Sequence, residues 1–266
     1  MSPPSPIRSE PARVVRLATG SVEAVPDPAH PDQTWSTAFR KIARNGPVWL
    51  GYQGFQGDEQ ADRKNHGGVD KAVCVYAATH YPGWREELGL ADLSFGAFGE
   101  NLTVEGLDEA NVCVGDILDV GGARIQVSQP RQPCWKLARN ARIDDLAARV
   151  ERTGRTGFYF RVLRHGAVAA GDALTRLERP HPEWTIARCN HVQYHARDDR
   201  DAARALAGCP ALSGSWKDRL WARGVQEACR PKNGPKHAVG DEVTRLSPAY
   251  PHDPGSDRGR FSTGLA

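Results

Sequence analysis

From residue 14 to residue 177 the apolar positions recur in short runs, alternating or continuous, that glycine repeatedly interrupts. This is the rhythm of β-strands rather than of long helices. Strands are predicted over residues 14–18 (VVRLA), 71–76 (KAVCVY), 102–104 (LTV), 117–120 (ILDV), 123–129 (ARIQVSQ) and 158–163 (FYFRVL). Gly121-Gly122 joins two of them as a two-residue hairpin turn that demands positive φ. After 158–163, His165-Gly166 reads as another tight turn with 167–170 as the returning strand, and 173–177 closes the region. The glycine-crowded stretch 49–62 suits short strand pieces and turns, while 26–31 and 62–70 read as loops.

Helical periodicity is confined to a few places. Tyr81, Trp84 and Leu88 share a face over 79–88, and Ile143, Leu146, Ala147 and Val150 share one over 143–150, where Gly154 is the expected stop. Beyond residue 179 the texture changes, and 184–194, 199–206 and 215–225 predict three short helices. The last opens on a capping-box pattern, Ser215 to Asp218. Residues 1–12 are rich in Pro and Ser with little to bury, and 229–266 carry few apolar anchors, so both ends are expected to be largely disordered. Within the tail, 239–243 could add a short strand. The expected organisation is mainly β with α. It comprises an extension (1–12), a β-rich domain (13–178), a three-helix domain (179–228) and a tail (229–266).

Composition narrows the class. Lys+Arg 35 against Asp+Glu 32 gives a net charge of +3, too balanced to argue for a direct nucleic-acid partner. No apolar run approaches membrane-spanning length, and the N-terminus lacks the apolar core of a signal peptide, so a cytoplasmic protein without membrane partners is expected. The six cysteines have no CxxC pairs, so zinc, disulfide and iron–sulfur frameworks are not signalled.

Candidate chemistry gathers where the hairpin strand 123–129 ends, in QPRQPCWKL (129–137). Cys134 lies between two fixed cations, Arg131 and Lys136. A nearby cation favours the thiolate, which is both nucleophile and soft metal ligand. Cysteine is also among the most buried residue types, and as packing residues Cys74, Cys113, Cys189 and Cys209 need no chemistry. In DRKNHGGVD (62–70), Gly67-Gly68 permits positive φ or close backbone approach to a ligand. His66 there has a reference pKa near neutrality and is the expected proton relay. Lys64 reads equally as a solvated charge, and Glu100 and Asp116 as turn residues.

Taken in order, KNHGGVDKAV, FGENLTVEGL, VGDIL and QPRQPCWKL resemble the MOSC family, named for the molybdenum cofactor sulfurase C-terminal domain. The likeness is to its YiiM-type bacterial branch. It covers residues 13–177, and the segment after 179 resembles the three-helix domain that follows the barrel in that branch. The resemblance implies a β-barrel-like core with flanking helices, a molybdenum cofactor (molybdopterin), and reduction of N-hydroxylated bases of the hydroxylaminopurine type. It makes Cys134 the molybdenum ligand or sulfur acceptor and Lys64 and His66 its catalytic companions. Arg131, Lys136, Gly67, Gly68 and Asn101 become cofactor-binding residues.

The sequence has no iron–sulfur, flavin or nicotinamide signature, so an enzyme of this kind is expected to draw electrons from a separate reductase. A non-enzymatic carrier of the cofactor or of cysteine-bound sulfur is the alternative, and a Cys134/His66 thiol hydrolase is a third reading. A homodimer remains open.

Overall fold

The computed structural model describes residues 12–27 and 32–225. The expectations for residues 1–11, for 28–31 and for everything beyond 225, including the strand at 239–243, lie outside the described residues. In chain order the strands are β1 (Arg13–Thr19), β2 (Glu23–Pro26), β3 (Thr34–Thr37), β4 (Ile42–Ala43), β5 (Val48–Gly51), β6 (Gly54–Phe55), β7 (Val73–Ala77), β8 (Leu102–Glu105), β9 (Ile117–Val120), β10 (Ala123–Pro130), β11 (Phe158–Arg164), β12 (Gly166–Val168) and β13 (Leu174–Glu178). The helices are α1 (Arg63–His66), α2 (His80–Leu88), α3 (Trp135–Ala141), α4 (Leu146–Thr153), α5 (Ile186–Asn190), α6 (Arg200–Ala207) and α7 (Gly214–Val225).

Eight strands form one sheet in the order β13-β9-β10-β11-β7-β8-β1-β4. The sheet curls until β1 meets the approach to β13. Leu174 N donates to Ala12 O (2.7 Å), Gly171 N to Val14 O (2.7 Å) and Val14 N to Asp172 O (2.9 Å). These bonds close a β-barrel-like core, as the fold expectation requires. Strand β7 is buried along its whole length and pairs in parallel with β8, which explains its unbroken apolar run. Among the described residues, no helix is long and apolar enough to cross a membrane.

The helices after β13 share the barrel's interior: Leu206, Leu212, Trp216 and Leu220 belong to the same buried cluster as Ile125, Val127 and Phe160. Polar ties reinforce the join. Arg179 donates from Nε and Nη2 to buried Asp116 (2.9 and 2.6 Å), and Ser213 N donates to Ser128 O on β10 (3.0 Å). Asp116 closes a turn on Cys113, its N donating to Cys113 O (3.0 Å), and both it and Glu100 are fully buried structural acids; Glu100 accepts from Tyr81, Thr103 and Gly96.

Several local expectations need correcting. The stretch 62–70 is not loop throughout. The Asp62 side chain accepts from Asn65 N (3.0 Å), which caps the single turn α1, and a 3-10 turn, Val69–Lys71, comes next. Strands β2 and β3, which were not foreseen, pair as a ribbon on either side of the expected loop. β12 does not return along β11; it pairs with β5, forming a separate sheet with β6. Helix α7 is capped by Ser213, whose Oγ accepts from Trp216 N (3.4 Å), not by Ser215.

A second buried cluster of Tyr76, Tyr81, Trp84, Phe98, Leu137, Leu146 and Val150 holds α2, α3 and α4 against the barrel. Within it, Leu137 anchors α3, the helix that starts immediately after Cys134. Full burial of a leucine contributes roughly 1.5–3 kcal/mol.

Candidate active-site cleft

Strand β10 delivers the chain to Pro130, and Arg131 N then bonds Gly157 O (3.0 Å) beside β11. Two prolines separated by two residues prevent the strand from continuing. The backbone breaks outward to Cys134, which occupies the N-cap position of α3 with extended φ and ψ (−125°, 165°). Leu137 N closes the first turn on Cys134 O (3.0 Å). The thiol is half-buried and opens into a cleft with about 650 Å³ of empty space, continuous with solvent.

The cleft brings together Cys134, His66, Arg131, Lys136 and Asn101 from segments far apart in sequence. Of the remaining sequence-predicted residues, Lys64 is exposed on the outer side of α1, and neither it nor Gly67 or Gly68 lines the cleft. The two glycines shape the turn instead. A Cβ at Gly67 would lie 2.9 Å from Arg63 O, and Gly68 has φ +96°. Reasoning from sequence missed Lys41, Lys71, Cys74 and Tyr159, which also form the wall. Lys71 closes the same KNHGGVDKAV motif as His66, so its signal was available. Cys74 and Tyr159 carried no sign beyond strand periodicity.

Charge in the wall is unequally committed. Its three carboxylates serve the local structure: Asp58 accepts from Gly20 N and pairs with Lys41, Glu59 accepts from Val22 N, and Asp62 caps α1. The cations are freer. Arg131 is only 7% exposed, yet its guanidinium has no carboxylate partner among the described residues and rests near the Phe39 ring (5.9 Å). Lys136 likewise has no ion-pair partner among them. Lys71 Nζ donates to Asn65 O (2.7 Å), and burial together with nearby Arg219 lowers its pKa.

Burial and the surrounding cations set the charge state of His66. Burial, and then the cations Lys136, Arg131 and Lys71, push its pKa down to about 4 against the raising effect of Asp62, so the imidazole is neutral near pH 7. Its Nδ1 is buried without a hydrogen-bond partner, since Asp62 Oδ2 at 3.6 Å is too distant. Burial raises the pKa of both the Cys74 thiol and the Tyr159 phenol, so both stay protonated. Asn101 is committed to the scaffold: Oδ1 accepts from Cys74 N (3.0 Å) and Nδ2 donates to Ala18 O (3.3 Å), tying β7 to β1 beneath the cleft.

A curled, barrel-like sheet with a half-exposed thiol in a cationic cleft and a helical appendage is a MOSC-type architecture, and the relatives agree. The MOSC domain model matches residues 62–175, and the YiiM-like, 3-alpha helix domain model matches 184–223. YflK of Bacillus subtilis is 47% identical over 191 residues, 69% of this chain and 86% of that one. A protein of Gibberella moniliformis named "Reductase" is 38% identical over 182 residues, 66% of this chain but 31% of that much longer one. The crystal structure of YiiM from Geobacillus stearothermophilus superposes with a TM-score of 0.69 at 38% identity, covering 80% of this chain and 100% of that one. The chain belongs to the MOSC family, in its YiiM-type branch with a C-terminal three-helix domain.

The family implies a molybdenum cofactor, and the residues present fit one. Lys136 and the buried Arg131, neither of them in an ion pair among the described residues, suit a pterin phosphate. His66 lines the same space. No cluster of three or more His, Cys, Asp or Glu side chains is placed to hold a bare metal ion among the described residues. A half-exposed soft thiol, Cys134, suits a metal that arrives with its other ligands.

Proposed function

We propose that this protein is a molybdenum-cofactor oxidoreductase that reduces N-hydroxylated bases or related N-oxygenated compounds. One observation carries the reading: a buried arginine with no carboxylate in ion-pair distance among the described residues shares a cleft with a half-exposed cysteine. A buried cation whose counter-charge, Glu100, lies beyond ion-pair distance is costly, and a bound anion would offset that cost. The name of the fungal relative, "Reductase", is consistent with this chemistry.

The overall change is R–NHOH + 2 e⁻ + 2 H⁺ → R–NH₂ + H₂O, with electrons from an external electron-donating reductase. The chemistry supplied by the cofactor when bound is two-electron acceptance of oxygen from the N–O bond. In this reading Cys134 Sγ is its protein ligand, and Arg131 and Lys136 hold its phosphate. Lys71, its pKa lowered by burial and by Arg219, donates a proton from Nζ toward the leaving oxygen. Neutral His66, in the cleft wall, offers its imidazole to the polar end of the substrate. Tyr159, kept protonated by burial, donates from its hydroxyl.

The test is reduction of 6-hydroxylaminopurine by cofactor-loaded protein with an artificial electron donor. Turnover that disappears in Cys134→Ala supports the reading. Cofactor exchange with a client protein and no turnover would establish a carrier instead.

A further inference from the structure

The residue after the cysteine is a tryptophan that the fold does not bury. Trp135 opens α3 and is 49% exposed; it stands beside the cleft rather than in its wall, which its neighbours Cys134 and Lys136 line, and Lys136 Nζ lies 5.8 Å from its ring. Opposite stands Trp35 on β3, with ring centroids 5.4 Å apart and planes tilted by 55°. The rings form a wedge rather than a self-satisfied stack. The ribbon carrying Trp35 runs on into the cleft wall at Thr37 and Ala38.

Both rings are stiffened from behind. The Arg139 guanidinium lies 4.6 Å from the Trp135 ring and 5.7 Å from the Trp35 ring, and Asp27 holds it in an ion pair at 3.0 Å. Trp35 Nε1 is buried with no acceptor. A half-exposed indole held in place by a cation is a pre-organised stacking surface, because little rotamer freedom remains to be lost on binding.

We infer that Trp135, backed by Trp35 and Arg139, is a specificity-determining platform at the cleft mouth that stacks the flat ring of a conjugated heterocyclic substrate. This rests on the reductase reading and narrows it: planar N-hydroxylated heterocycles are favoured over aliphatic hydroxylamines. Trp135 takes no part in bond breaking; it positions the ring beside Cys134.

The experiment compares wild type with Trp135→Ala, Trp135→Leu and Trp135→Phe, using 6-hydroxylaminopurine and N-ethylhydroxylamine as substrates of cofactor-loaded protein. Trp135→Leu preserves apolar packing against Trp35 without a ring, so it separates loss of stacking from loss of fold. Stacking contributions of the usual size predict that Ala and Leu raise KM for the purine about 10-fold or more, with kcat little altered, and that Phe restores most of the loss. The ratio of kcat/KM for the purine to that for the aliphatic substrate falls by the same factor.

Binding of adenine, monitored by isothermal titration, gives a readout independent of turnover. It should weaken equally in Ala and Leu and recover in Phe. If wild type reduces neither hydroxylamine but adenine binding keeps this order, the reductase reading fails and the platform stands. Equal loss for both substrates, or adenine binding indifferent to the side chain at 135, overturns the platform.

Discussion

Arg131→Met separates stability from binding, because it should raise one while lowering the other. The wild-type guanidinium is nine-tenths buried and has no carboxylate partner among the described residues. Burial keeps the nearby Cys74 and Tyr159 protonated, so the carboxylate whose charge reaches it is Glu100, beyond ion-pair distance. Methionine has similar reach and no charge. Removing a cation that still touches cleft water should recover about 1–2 kcal/mol, against a loss of about 0.5–1 kcal/mol for the contact with Phe39. The net gain of up to about 1 kcal/mol corresponds to a Tm increase of roughly 2–4 °C for a unit of this size.

Anion binding should move the other way. Losing one desolvated charge-assisted contact costs about 2–4 kcal/mol, or about 30- to 1,000-fold in affinity. Differential scanning calorimetry of cofactor-free protein gives the first quantity, and titration with inorganic pyrophosphate the second. An Arg131→Met protein that melts earlier than wild type and binds pyrophosphate equally well would mean that the arginine serves the fold and not an anion.

The His66 titration tests the same field from another side. Lys136→Ala removes the largest charge acting on the imidazole, so its pKa should rise from about 4 toward the ordinary 6.5, as read by NMR. Because the folded-state value is the depressed one, the native state is favoured above the unfolded pKa. It loses stability as pH falls from about 6.5 through about 4, and Lys136→Ala should shrink that loss. Gly157→Ala places a Cβ against Val75 O at φ +73°, between β11 and β7, and should cost about 2 kcal/mol or more in denaturant unfolding. Asp116→Ala leaves Arg179 without its partner at the join to the helices and should destabilise by about 3 kcal/mol, seen as a lower urea midpoint.

What the sequence revealed depended on how local the signal was. The β9–β10 hairpin can be read from alternation around Gly121-Gly122, and α2 from Tyr81 and Trp84 on one face. Helix α3 was not foreseen because WKLARNA has a single buried anchor, Leu137, and ends on Arg142 in a left-handed conformation (φ +56°) that no glycine announces. The destination of β12 was illegible for a different reason: a short strand carries no mark of whether it pairs with β11 or with distant β5.

In the site, the motifs pointed to Cys134, Arg131 and Lys136, which do share a cleft. They could not show that the single turn of α1 carries His66 inward and leaves Lys64 exposed, nor that Lys71, after the 3-10 turn, reaches the wall. The pKa of His66 was beyond reach altogether, because it arises from cations that only the fold assembles.

If Cys134 and its cationic surroundings hold a molybdenum cofactor, the protein purified from its own host should carry it. Molybdenum and pterin content are therefore to be measured in wild type, alongside Cys134→Ala and Arg131→Met prepared identically. Molybdenum and pterin are expected together in wild type, with molybdenum lost from the cysteine variant and both depleted in the arginine variant. A folded, cofactor-replete preparation of wild type that contains neither would contradict the assignment.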